Sequence, residues 1–412
     1  MIIVSDPIVV ASPSDARAAF PLLAHDPGLH YLDNAATSQL CAAALDALVR
    51  HETTCRANVL RGTHRLAEAA DAAYREARAA VARFLGGVSA DEIVFTSGAT
   101  ASLNLLAHSL GATLAEGDEV LVSVAEHHSN LVPWFMLRER RGIVLRVLPV
   151  TAGGRIDLAR LPQAMGPRLR LIALTHCSNV TGAVTALAPL VAAAKAAGAL
   201  VALDGAQAVQ HGPVDVRALG VDFYAFSGHK CFGPNGVGVL WGRREVLERM
   251  PPFLGGGGMV DRVELTGASW AAPPRRFEAG TPPIAQAVGL GAALDWMTEL
   301  PWAAIRAREA RLTRRLIDGL EPLPGVRILG PRDDAARAPI VSFDVEGVHP
   351  HDLVQVLDER DVAVRGGHHC ARPLMAALGV EACTRASLAL YNDEADVDAL
   401  IEALAHALRL LR

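Results

Sequence analysis

The run Ser227-Gly228-His229-Lys230 places a lysine just past the apolar run FYAF, hemmed in by serine, glycine and histidine. Lysine is rarely buried without a partner or a task. Out of water its amine gives up its proton more readily and can condense with a carbonyl, while the Ser227 and His229 side chains suit a phosphate group. Standing alone, the four residues would equally describe a loop lysine with its ammonium in solvent. Asp204 closes a second apolar run, LVAL. A carboxylate at such a strand end is the usual partner of the ring nitrogen of pyridoxal 5′-phosphate (PLP), keeping the ring protonated as an electron sink. The same aspartate would also serve as a helix N-cap. Gln207, three residues on, can reach that ring and donate to its phenolic oxygen, or it can sit in the first turn of a helix.

The segment TSGATASLN sets Gly98, Ala99 and Thr100 between a strand and a helix, so backbone N–H groups and a hydroxyl meet at a helix N-terminus, an anion site by construction. In AEHHSN, His127 and His128 lie in a non-helical stretch and must point in different directions, so one of them, taken as His127, can stack on a cofactor ring. VRGGHHCARP presents Cys370 in a loop after a strand, with two histidines before it and Arg372 two residues later, a setting that favours an accessible, nucleophilic thiolate. Adjacent His368, His369 and Cys370 cannot easily chelate one tetrahedral ion, and no second ligand cluster sits at conventional spacing, so no metal is expected. Arg385, read as opening the strand RASLAL, suits a two-pronged grip on a substrate carboxylate, although a lone arginine is more often a surface residue.

These residues need a scaffold. From about residue 90, short apolar runs ending in polar residues alternate with helical stretches: EIVFTSG, EVLVSVAEHH, GIVLRVLPV, LRLIALTHCSN, ALVALDGAQ, DFYAFSGHK and GVGVLWG. Most are apolar on both faces, as in a sheet covered by helices on two sides, which predicts an α/β fold with a doubly wound, mainly parallel sheet. Thr100, His127, Asn179, Asp204, Gln207 and Lys230 then sit at or just beyond the C-terminal strand ends, where open α/β sheets bind ligands. After FLGGGGMV and WAAPPRRFEAGTPP a helical pattern begins near Trp302, followed by strands IVSFDVEG, VAVRGG and RASLALYN, the pattern of a second, smaller α/β domain.

The chain has 412 residues, 51% of them hydrophobic and 20% charged, with a net charge of -5. At roughly 100–200 residues per domain this allows one large and one smaller domain, and the lack of a basic excess excludes nucleic acid as a partner. The six cysteines show no CxxC spacing, which fits a reducing compartment. The start MIIVSDPIVV carries Asp6 within its apolar run and no basic region, so a cytoplasmic protein is expected. The longest apolar stretch, 186–203, is divided by Pro189, Lys195 and Gly198 into helix, turn and strand, leaving no membrane span.

From YLDNAATSQ at Tyr31 through THCSNVTGA, VALDGAQAVQH, FYAFSGHKCFGPNGVGVL, RRFEAGTP and VRGGHHCARPLM to RASLALYN, the chain resembles the cysteine desulfurases of the class V aminotransferase group, and most closely their SufS/CsdA branch. The resemblance implies a PLP-dependent transferase of fold type I that takes sulfur from L-cysteine. Lys230 matches the lysine that holds the cofactor, Asp204 the ring-nitrogen partner, Gln207 the residue at the ring hydroxyl and His127 the stacking imidazole. Ala99, Thr100, Ser227 and His229 match the phosphate site, and Thr281 matches a threonine reaching it from the other subunit of a homodimer. Asn179 and Arg385, with Arg365 nearby, match the grip on the substrate carboxylate, and Cys370 matches the cysteine that receives the sulfur.

The same resemblance implies a division into an N-terminal segment 1–29 packing with the small domain, a large PLP-binding domain 30–295 and a small domain 296–412. It also implies a sulfur-accepting protein of the SufE or SufU kind. Selenocysteine lyase activity on L-selenocysteine is the near alternative; an aminotransferase, epimerase or kynureninase-like lyase would use Lys230 and Asp204 but not Cys370. Ala99, Gly366 and Pro283 depart from the relatives' pattern, which often carries threonine at the first position and asparagine at the third.

Overall fold

The computed structural model describes residues 13–332 and 336–412. The first twelve residues of the expected N-terminal segment lie outside it. Seven strands form the central sheet in the order Ile93–Thr96, Gly238–Gly242, Phe223–Ser227, Leu200–Asp204, Leu169–Thr175, Glu119–Ser123, Val144–Leu148. Gly238–Gly242 runs antiparallel to both of its neighbours and every other pair is parallel. This is the mainly parallel α/β sheet that the apolar runs predict.

Alternation along each strand feeds two separate cores. Leu121, Ile172, Leu203 and Phe226 pack on one face with the helices Arg65–Phe84 and Ile284–Thr298. Val120, Leu171, Ala202 and Phe223 pack on the other, with Ala99–Ser109 and Val132–Arg141. The edge strand Val144–Leu148 departs from that pattern: four of its five residues are at least partly exposed, and among the described residues no further strand pairs with its outer edge. The stretch 186–203 divides as expected into the helix Leu187–Ala196 and the strand Leu200–Asp204. Among the described residues no helix is long and apolar enough to cross a membrane.

Beyond the helix Trp302–Leu320, a four-stranded antiparallel sheet runs in the order Val326–Leu329, Ile340–Val345, Cys383–Ser387, Arg365–Gly367. Its core is closed by the helices Pro350–Asp358 and Glu394–Leu411. Arg385 is the middle residue of its strand, paired with Ser342 on one side and Arg365 on the other, and not the opening residue of a longer strand. The ladder with Ile340–Val345 ends at Ser387 and that with Arg365–Gly367 at Arg385, so LAL of the motif continues as a loop. A hairpin, Val260–Glu264 with Gly267–Trp270, was not legible in the sequence; almost all of its residues are exposed and carry no alternation of burial. Near the start of the chain Phe20 packs edge-on to Phe232, Trp296 and Tyr391, at centroid distances of 5.3, 5.8 and 4.5 Å.

Candidate active site

The carboxyl ends of the central strands and the loops of the smaller sheet enclose a cavity of about 670 Å³. Lys230, Asp204, Gln207, His127, Ala99, Thr100, Ser227, His229, Asn179, Arg365, Cys370 and Arg385 all line it. Thr281 does not; it is exposed.

Lys230 sits in a single 3-10 turn, Gly228–Lys230, at the end of a buried strand, and its Nζ donates to the Ala35 carbonyl at 3.2 Å. Burial, reinforced by the Arg385 cation, lowers its pKa to about 8, so a useful share of the amine is neutral near physiological pH. The chain has one other lysine, Lys195, which is exposed on the helix Leu187–Ala196. Only Lys230 can therefore present an amine to this cavity.

Asp204 is buried, and its Oδ1 accepts from the Ala206 amide at 3.0 Å. A turn follows instead of an α-helix, so the aspartate does not serve as a helix cap, and Gln207 is a turn residue. Burial raises the Asp204 carboxyl above the ordinary range, a cost that a cationic ring nitrogen beside it would relieve. Gln207 donates its Nε2 to the Ala35 carbonyl at 2.8 Å, and its buried Oε1 has no partner among the described residues. An orphaned buried oxygen of this kind fits a site built for a polar ligand.

The His127 ring is fixed by Ser129, whose amide donates to Nδ1 at 3.1 Å and whose Oγ lies 3.0 Å away. Burial and the neighbouring Lys230 cation push its pKa down to about 4, leaving a neutral, flat imidazole. His128 diverges from it as expected: its Nε2 accepts from the Arg372 amide at 3.2 Å and its own amide donates to the Cys370 carbonyl at 2.7 Å. The stretch is not wholly non-helical, since His128–Asn130 forms one 3-10 turn capped by His127.

For an anion, the helix Ala99–Ser109 points its first turn into the cavity. Gly98, at φ 154°, starts it, and a Cβ on the facing Gly238 would lie 2.4 Å from the Gly98 Cα, so both positions require glycine. Ser227 Oγ accepts from the Ala99 amide at 2.8 Å, Thr100 Oγ1 lies 2.7 Å from Ser129 Oγ, and His229 Nδ1 lies 3.2 Å from Thr37 Oγ1. Burial, then Lys230, pushes His229 down to about 4, so it meets an anion as a neutral donor.

Cys370 is exposed at the cavity, in a four-residue connection between the strand Arg365–Gly367 and the helix Arg372–Ala377. His369 and Cys370 both take left-handed φ, 50° and 54°, conformations that cost non-glycine residues energy and persist where surroundings enforce them. Partners from distant segments do so here. Asn179 Nδ2 donates to the His369 carbonyl at 2.7 Å, and the His128 amide holds the Cys370 carbonyl. Buried His369, Nε2 3.1 Å from the Cys383 carbonyl, anchors the loop from below. The departure at Gly366 has a local reason: a Cβ there would come within 2.8 Å of the Pro350 carbonyl.

Arg385 is 2% exposed, so the surface reading is wrong; its strand is buried on both faces. Its Nη1 donates to the Asn179 carbonyl at 3.1 Å and its Nη2 to Asp33 Oδ1 at 3.1 Å. Arg365 reaches the same carboxylate, with Nε 2.9 Å and Nη2 2.8 Å from Oδ2. Sequence reasoning missed Asp33, along with the buried Glu126 and the cavity-lining His349 and His351. The only signal for Asp33 was its place in YLDNAATSQ, directly after a short strand.

Residues 30–400 match the Aminotransferase class-V family. A probable cysteine desulfurase of Streptomyces coelicolor is 45% identical over 399 residues, covering 95% of this chain and 96% of the relative. Among solved structures, the Escherichia coli cysteine desulfurase CsdA in its S-sulfonic acid form superposes with a TM-score of 0.91 at 41% identity, covering 98% of this chain and all of that one. A C-DES variant with glycine covalently linked to its PLP cofactor superposes with a TM-score of 0.81 at 27% identity, covering 94% of this chain and 98% of that one.

Proposed function

The chain belongs to the aminotransferase class-V family, and on that premise we propose that it is a PLP-dependent cysteine desulfurase that takes sulfur from L-cysteine, releases L-alanine and leaves a persulfide on Cys370. The observation that carries this reading is the exposed Cys370 thiol, held in the same cavity as Lys230, the one lysine that lines it. The other class-V chemistries need the lysine and have no use for the thiol.

The cavity suits PLP residue by residue. Lys230 would hold its carbonyl carbon, Asp204 its ring nitrogen, Gln207 its ring hydroxyl and His127 the face of its ring. The start of the Ala99–Ser109 helix with Thr100, Ser227 and His229 would hold its phosphate. When bound, PLP supplies a ring that accepts the electron pair set free as the substrate's Cα–H bond breaks.

The chain's own residues do the rest. Lys230, with a pKa near 8, takes the α-proton and returns a proton to carbon. Arg385 and Asn179, with Arg365, grip the substrate carboxylate and set the direction of its side chain. The Cys370 thiolate then attacks the substrate sulfur: an S–S bond forms, the C–S bond breaks, and its electron pair stays with the carbon skeleton, which takes up protons to leave as alanine. The gain at this step is proximity, since the left-handed loop presents the thiol into a cavity shared with Lys230.

A loop tied down by Asn179 and His128 has little slack to carry a persulfide outward. We therefore read the sulfur acceptor as a protein of the SufE or SufU kind whose thiol enters the cavity. Thr281 would complete the phosphate site of a second copy in a homodimer. The domains would divide as 1–29, 30–295 and 296–412. We read the protein as cytoplasmic, a reading that the six free cysteines support, since thiols stay reduced there. The test is incubation with L-cysteine, measuring alanine and Cys370-bound persulfide together, with and without candidate acceptors. Alanine without persulfide would refute the thiol's role, and turnover unaffected by any acceptor would refute the carrier.

A further inference from the structure

Asp33 does not line the cavity, yet two residues that do are organised by it. Arg385 and Arg365, from neighbouring strands of the smaller sheet, converge on its carboxylate, Arg385 on Oδ1 and Arg365 chiefly on Oδ2 with its Nε also 3.2 Å from Oδ1. The backbone that carries it is itself fixed. Asp33 pairs with Ser387 in an isolated parallel bridge, and its carbonyl accepts from the amides of Ala36 and Thr37 at 3.0 and 3.3 Å. Asp33 is 8% exposed, and Arg385 keeps a buried Nε–H with no partner among the described residues.

The charge balance of this group follows. Two guanidiniums share one carboxylate, leaving one net positive charge facing the cavity. A buried Arg385 without its anion would be costly, which explains why the carboxylate is there at all. With it there, the clamp neutralises one incoming carboxylate and has nothing left for a second.

We propose that Asp33 is a specificity-determining positioning residue, which holds Arg365 and Arg385 in place and cancels one of their charges so that the cavity accepts amino acids with a single carboxylate and disfavours those carrying a second. The proposal rests on the reading that these two arginines receive the substrate carboxylate. It acts through them, since they line the cavity and Asp33 does not.

The experiment is equilibrium binding to the holoenzyme, followed by spectral titration, of L-alanine and L-aspartate, which share a core and differ by one side-chain carboxylate. Asp33→Asn keeps the shape and removes the charge. It should shift the ratio of the two dissociation constants toward L-aspartate by about tenfold, the effect of one nearby charge in a partly screened site. Arg365→Gln removes a cation and should move the ratio the other way. A merely structural role would weaken both ligands in parallel. A ratio unmoved in Asp33→Asn, or moved the same way in both variants, overturns the proposal. If Asp33→Asn gives no soluble protein, Arg365→Gln decides by the direction of its shift. A holoenzyme that binds L-alanine but makes none from L-cysteine would refute the desulfurase reading while leaving this ratio to be read.

Discussion

Glu126→Gln should make the protein more stable at neutral pH, and the gain should disappear in acid. Glu126 is fully buried beneath the His127 turn. Its Oε1 lies 2.6 Å from Ser123 Oγ, and its Oε2 accepts from Asn130 Nδ2 at 2.6 Å. Burial raises its pKa from 4.5 to about 8, with the Asp204 carboxylate adding to the rise. Between those values the folded chain holds a proton that the unfolded chain has released. Stability therefore falls as pH rises through that window. Each pH step costs about 1.4 kcal/mol, so at pH 7 the penalty approaches about 3 kcal/mol. Glutamine fills the same space, accepts from Asn130, donates to Ser123 and never titrates. Melting wild type and Glu126→Gln between pH 4.5 and 8 should give curves that meet at the acid end and separate by a few degrees at the alkaline end. A gap independent of pH, or a variant less stable at pH 8, would refute the argument that this carboxyl is held neutral by burial.

Lys230→Ala should abolish the visible absorption of the bound cofactor and all turnover; in the wild type, the rate of cofactor uptake by the apoprotein should rise with pH and level off above about 8, where the buried amine is neutral. A plateau reached only above pH 10, or an unchanged spectrum in the variant, would remove Lys230 from the role. Cys370→Ser should still bind cofactor and L-cysteine, because the cofactor residues lie elsewhere in the cavity, while alanine release drops by about a hundredfold or more, a hydroxyl being a far poorer nucleophile than a thiolate at neutral pH. Normal desulfuration by this variant would send the search to another thiol. Light scattering should give a dimer at working concentration, and Thr281→Ala should weaken cofactor retention without lowering dimer mass. A fully active monomer would refute the shared site.

Sequence alone located the strands of the larger sheet and the chemistry at their ends. A strand buried on both faces is written as an unbroken apolar run, and a polar residue directly after it has few places to go but the crevice. Lys230, Asp204, His127 and Asn179 were legible for that reason, and the order of the motifs then pointed to the family. The fold class followed from the same alternation of runs and helical stretches.

Tertiary structure alone decided what those residues do to one another. Asp33 stands in the sequence only as one residue of YLDNAATSQ; its meaning comes from two arginines 332 and 352 positions away. Arg385 passes for a surface residue until pairing on both sides of its strand buries it, and a charge so enclosed must find its counter-ion in space. The shifts that hold His127 neutral and Lys230 near 8 come from desolvation, a property of everything packed around a group and of no short stretch of chain. The left-handed turn at His369 and Cys370 is likewise enforced by partners from distant segments, so local preference could not announce it.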